Sequence, residues 1–145
     1  MYVRELRVQY RRRRLVGSRP TDRLSNPQEA AQAFRRLLGH ESVEVCGLFC
    51  VSTHHDVLAY HELSRGTLDA TLVHPRDVYK VALLANCRSV ILGHNHPSGD
   101  PTPSAEDLTL TIRIAQAGDL LGIDLLDHLI VTPERYVSLR ETGRF

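Results

Sequence analysis

Strand-like and helix-like segments alternating along the chain predict an α/β or α+β sheet domain. Two observations carry that prediction. Apolar runs at 43–51, 57–63 and 89–92 have strand character, and they are interleaved with stretches whose apolar residues recur at helical spacing. The chain's 145 residues are 42% apolar and 24% charged, ordinary values for a globular domain. A domain of this length buries about two-thirds of its unfolded surface, enough for one core without staples.

Taken in order, residues 2–10 alternate loosely, with Tyr2, Leu6, Val8 and Tyr10 on one side of an expected strand. An arginine run and a polar GSRPTDRLSN stretch follow, so 1–24 reads as a basic arm and 25–145 as a single domain. Asn26 before Pro27 starts a helix, Ala30, Phe34, Leu37 and Leu38 give it an apolar stripe, and Gly39 stops it. The strands expected at 43–51 and 57–63 are joined by the polar THHD segment, which suits a hairpin connection. His74-Pro75 opens a second helix, with Val78, Val81, Ala82 and Ala85 on one face. A short buried strand at 89–92 runs into GHNHPSGDPTPSAED, whose glycines and prolines forbid regular structure until Ser104. A third helix at 105–120 and closing strands at 123–131 and 136–139 complete the expectation.

Composition narrows the function classes. No apolar stretch is long enough to span a bilayer. The N-terminal MYVRELRVQYRRRR lacks the apolar centre of a secretory signal, so a cytoplasmic, reducing location is expected. Cys46, Cys50 and Cys87 form an odd set without C-x-x-C spacing and read as small buried hydrophobes.

Chemistry concentrates around the loop after the third strand. His94 and His96, at i and i+2 where a buried strand ends, point their imidazoles to one side if extended geometry continues. Asp107, across a Pro/Gly-shaped loop at the start of the third helix, adds a carboxylate. The result is a His₂Asp set with one open position, the arrangement of a catalytic zinc site. Other divalent ions also suit such ligands. Glu44 interrupts the apolar run VEVCGLFCV, where an unpaired carboxylate is costly, and is expected to serve as general base to the attacking water. Ser104 admits two roles at once, as a helix cap in Ser-x-x-Asp and as a donor to a developing oxyanion.

These residues together resemble a known signature. Glu44, His94-Asn95-His96-Pro97 and then Ser104-x-x-Asp107 are similar to the JAMM (MPN+) metalloprotease motif. Within that superfamily GTL at 66–68, HPRD at 74–77, LGHNHPSGDPTPSAED at 92–107 and LLDHLIV at 125–131 resemble the RadC branch, over about residues 41–145. The resemblance implies a cytidine-deaminase-like three-layer fold, with a mixed sheet flanked by helices. It also implies zinc held by His94, His96 and Asp107, Glu44 as general acid/base, and Ser104 as the oxyanion-stabilising hydroxyl. Hydrolysis of a peptide or isopeptide bond in a protein or peptide substrate is the implied activity. Asn95 stands where JAMM proteases usually carry Ser or Thr, in agreement with RadC proteins, which bears on isopeptidase specificity rather than on metal binding. RadC proteins typically carry an upstream helix-hairpin-helix DNA-binding domain; ahead of the matched region, only the arm and first helix are expected here.

Rival readings attach to other residues. Clustered Arg11, Arg12, Arg13 and Arg14 suit salt-dependent phosphate contacts, so a non-catalytic DNA-associated module is the alternative function, although no aromatic stacking platform accompanies them. A metal-free, decayed domain is a further alternative. His74 and the Asp127-His128 pair read as a helix cap and satisfied core groups, against a role lining the cleft, and are not counted as ligands. His54, His55 and Asp56 read as solvated turn residues.

Overall fold

The computed structural model describes residues 1–12, 22–66 and 73–145. Its elements run α1 (Pro27–Leu38), β1 (Val45–Val51), β2 (Val57–Arg65), α2 (Pro75–Leu84), β3 (Ser89–Asn95), α3 (Ala105–Leu121), β4 (Asp124–Val131) and β5 (Tyr136–Ser138). Every residue of β1 and β3 is buried, as strands covered on both faces require. They occupy the middle of a five-stranded sheet ordered β2-β1-β3-β4-β5. β1 pairs antiparallel with β2 and β3, β3 pairs parallel with β4, and β5 closes antiparallel on β4. The parallel step obliges the chain to cross over the sheet, and α3 makes that crossing.

Strand alternation divides the core in two. Val45, Phe49, Val51, Ile91, Leu129 and Val131 face α1, where Ala30, Ala31, Phe34 and Leu38 meet them. Cys46, Leu48, Cys50, Val90, Leu92 and Leu125 face the opposite way, onto Val78, Tyr79 and Ala82 of α2 and Leu110 and Ile114 of α3. Helix, sheet and helix pair therefore form three layers, a mixed α/β architecture consistent with a JAB/MPN-like fold. The three cysteines are free and buried within the α2/α3 side, as small hydrophobes. Among the described residues no helix is long and apolar enough to cross a membrane.

Several boundaries differ from the sequence expectation. Residues 1–12 are exposed and form no strand, because among the described residues their backbone groups join no ladder. Arg13 and Arg14 of the arginine run, and residues 67 and 68 of the GTL stretch, lie outside the described residues. β1 begins at Val45 rather than 43, leaving Val43 exposed and Glu44 half-buried. β3 continues three residues past 92, since Gly93 and His94 still pair with both β1 and β4 and Asn95 pairs with β4. His54, His55 and Asp56 do lie in the β1–β2 connection, with Ser52 bonding the Asp56 and His54 amides.

Gly93 lets the Phe34 ring of α1 lie directly on β3. A Cβ there would stand 2.6 Å from the Phe34 ring, which itself packs edge-on against Phe49 with centroids 4.7 Å apart. Gly93→Ala is expected to force Phe34 off the sheet and cost about 1–3 kcal/mol by overpacking. Urea unfolding checks this, and the double variant Gly93→Ala/Phe34→Leu should recover part of the loss.

Candidate metal centre

β3 delivers His94 to the end of the sheet on the α3 side, two positions after Leu92 of that same face. His96 follows directly, held by its backbone N–H donating to the Val131 carbonyl at 3.0 Å. The chain then turns through Gly99, whose φ of +82° suits a residue without Cβ, and Asp107 arrives on the first turn of α3. A capping box fixes that turn: Ser104 Oγ accepts from the Asp107 N–H at 3.1 Å, and the Ser104 N–H donates to Asp107 Oδ2 at 2.8 Å.

The three side chains converge. His94 Nε2 and His96 Nε2 stand 3.0 Å apart, and Asp107 reaches them with Oδ1 at 3.2 Å and Oδ2 at 3.5 Å. Ligands bound to zinc at ~2.0–2.2 Å in a tetrahedron stand about 3.3–3.6 Å apart; the 3.5 Å separation falls in that range and those of 3.0 and 3.2 Å just below it, a spacing one small cation could bridge. His96 donates from Nδ1 to the Asp100 carbonyl at 2.8 Å; a carbonyl only accepts, so a neutral His96 turns a bare lone pair at Nε2 toward the other two groups. His94, His96 and Asp107 are thus a group that could hold a metal ion. Access is from the His96 side, since that side chain keeps 13% of its exposure while His94 keeps none.

Electrostatics within the group point the same way. Burial pushes the Asp107 carboxyl up, but its side-chain contacts with His94 and His96 and the hydrogen bond from the Ser104 amide outweigh it and hold the group well below the usual carboxylate range. His96 is raised above its ordinary 6.5, first by the hydrogen bond to Asp107, against burial, with the Asp100 carbonyl and the charges of Asp107 and Glu44 adding. His128 lies far below its ordinary value, because burial disfavours its cation and the neighbouring His94 opposes it.

Glu44 is not one of the clustered ligands. It sits just before β1, half-buried, with its carbonyl accepting from the Gly66 N–H at 2.8 Å and its charge felt at His96. The reading that put it inside the strand is corrected here, and Asn95 supplies the reason. Asn95 Oδ1 accepts from the Val45 N–H at 2.7 Å, and its Nδ2 donates to the carbonyls of Val43 at 3.0 Å and Glu41 at 3.3 Å. A side chain thereby takes over where the ladder stops, and Glu44 is held between two clamped neighbours, near enough to His96 for its charge to be felt there.

Among the other histidines, His74 is the N-cap of α2, with Nδ1 accepting from the Arg76 N–H. Asp127 is a structural anchor: it accepts from Ser138 Oγ at 2.6 Å and from the His128 and Arg140 amides. His128 is different, because its fully buried ring touches His94, with Nε2 and Nδ1 2.9 Å apart. Sequence reasoning missed that contact; the one signal was a histidine within the apolar run of β4.

The model of the RadC-like JAB domain family matches residues 24–144. A UPF0758 protein of Desulfitobacterium hafniense (strain DSM 10664 / DCB-2) is 42% identical over 133 residues, covering 90% of this chain and 59% of the relative. UPF0758 protein STH371 of Symbiobacterium thermophilum is 44% identical over 120 residues, 83% of this chain and 51% of the relative. A UPF0758 protein of Thermotoga maritima is 49% identical over 100 residues, 69% and 45% respectively. The chain therefore spans about half the length of the curated relatives it matches.

The raised His96 gives a pH prediction. In the metal-free protein the stability from its proton is fully present below 6.5 and is lost as pH rises through the higher folded value. A metal ion displaces that proton, so zinc should stabilise little on the acid side and most on the alkaline side. At free zinc about a hundredfold above Kd, the expected gain above the transition is about 2.7 kcal/mol. Thermal unfolding with and without zinc across pH measures it; a gain that grows toward acid pH would contradict the ligand assignment.

Proposed function

The chain belongs to the RadC-like JAB domain family, and from that premise we propose that it is a zinc-dependent hydrolase of JAMM type that cleaves a peptide or isopeptide amide bond. The observation that carries the proposal is the meeting of His94 Nε2, His96 Nε2 and the Asp107 carboxylate at separations of 3.0, 3.2 and 3.5 Å. These three residues would hold the ion. Zinc, when bound by three protein ligands, supplies Lewis acidity at its fourth position.

The chain's own residues do the rest. Glu44, clamped beside His96 through Asn95, takes a proton from the attacking water and returns it to the departing amine. Ser104 uses a lone pair to cap α3, which leaves its hydroxyl hydrogen to donate to the oxyanion that forms as the carbonyl is attacked. Asp107 stays ionised throughout, because its two histidines and the Ser104 amide favour the charged form.

Elemental analysis of purified protein should find one zinc per chain, and chelation should abolish hydrolysis of a peptide library. Glu44→Gln is expected to retain zinc yet lose about 10²–10⁴-fold in turnover. Ser104→Ala should lose about 10²–10³-fold and, by removing the cap, about 1 kcal/mol of stability. Hydrolysis indifferent to chelator and to Glu44→Gln would defeat the proposal.

A second reading, nucleic-acid binding by the basic arm, draws on the exposure of Arg11 and Arg12. Deleting residues 1–14 should then weaken low-salt retention on DNA and flatten its salt dependence; unchanged retention with an intact fold ends that reading.

A further inference from the structure

We propose that Thr111 and His128 are positioning residues that fix the ring protons of His94, so that its Nε2 is bare and turned to the metal. The inference rests on the ligand role given above to His94. It follows from a chain of hydrogen bonds whose direction is set at one end. Thr111, one turn after Asp107 on α3, donates its hydroxyl to the Asp107 carbonyl at 2.6 Å. A carbonyl accepts and a hydroxyl has a single hydrogen, so toward its other neighbour Thr111 Oγ1 acts as acceptor.

That neighbour is His128 Nδ1, also at 2.6 Å, and it must therefore carry the proton. A neutral His128 then has a bare Nε2, which accepts from His94 Nδ1 at 2.9 Å. With its proton at Nδ1, His94 has a lone pair at Nε2, the atom 3.0 Å from His96 Nε2 and 3.2 Å from Asp107 Oδ1. The path closes on itself: Asp107 offers its carboxylate at the metal end and its backbone carbonyl at the Thr111 end.

Burial makes this arrangement stringent. His94 and His128 are both 0% exposed and Thr111 is 1% exposed, so water offers no substitute partner for any link. His96 has its own separate anchor, the Asp100 carbonyl, so the two histidine ligands are oriented independently, one from the core and one from the loop. Partners of this kind typically change metal affinity about 10–100-fold when removed.

Nitrogen-15 NMR of the histidine rings in the full, metal-free chain, at alkaline pH, reads the tautomers directly. His94 is expected as the Nδ1–H form, and so is His128. Thr111→Val keeps the shape but removes the acceptor, and should shift His94 toward the Nε2–H form and weaken zinc binding about 10–100-fold by competition with a chromophoric chelator. Thr111→Ser should restore both readouts. A wild-type His94 protonated at Nε2, or a folded Thr111→Val with unchanged tautomers and zinc affinity, would overturn the proposal. Because the ring protons are read without metal or substrate, a chain that lacks hydrolytic activity but shows the expected tautomers defeats the proposed function and leaves this inference standing.

Discussion

Two imidazoles and a carboxylate held 3.0–3.5 Å apart in a mostly buried pocket form an electron-rich cluster that repels itself unless a proton or cation is shared among them. The surrounding structure is arranged to keep that cluster from relaxing. β3 carries His94 rigidly because it is paired on both sides, α3 carries Asp107 in a reciprocally capped first turn, and the His96 ring is tied to the Asp100 carbonyl. Each ligand is thus anchored by a different element, and the cost of convergence is spread over the whole fold rather than borne by one loop.

The fold makes the site where sheet and helix change over. β3 and β4 are parallel, so the connection between them must leave the end of β3, cross the sheet as α3 and return. His94, His96 and Asp107 lie on either side of that departure point. The N-terminal end of α3 also favours negative charge, which adds to the histidine contacts in keeping Asp107 ionised. Asn95 binds the start of β1 to the same corner, so Glu44 shares it without belonging to either β3 or α3.

Buried polar groups in this corner are all partnered; among the described residues no buried side-chain nitrogen or oxygen lacks a hydrogen bond. Asp127 uses its burial for architecture, bonding Ser138, Arg140 and the His128 amide at the β4–β5 edge. His128, its neighbour in sequence, points to the other side of the strand and faces the ligand His94. Adjacent residues on a strand thereby serve stability and site separately, as the two-residue alternation of β structure allows.

Much of this was legible in the amino-acid sequence because it depends on local chemistry. Helix starts at Asn26-Pro27, His74-Pro75 and Ser104, the buried runs of β1 and β3, and the grouping of His94, His96 and Asp107 around a Gly/Pro loop are all short-range patterns. The arm at residues 2–10 shows the limit of pattern alone: alternation was present, but a strand needs a partner edge, and among the described residues none is paired with it. Tertiary structure alone decided where Glu44 lies, since Asn95 clamps its neighbours from about fifty residues away. It alone joined Asp107, Thr111, His128 and His94 into one path, because a hydrogen bond across 34 positions leaves no periodicity in the chain that makes it. Sequence determined which groups were available to bind a cation; packing determined which atoms of those groups face one another, because orientation is set by distant partners.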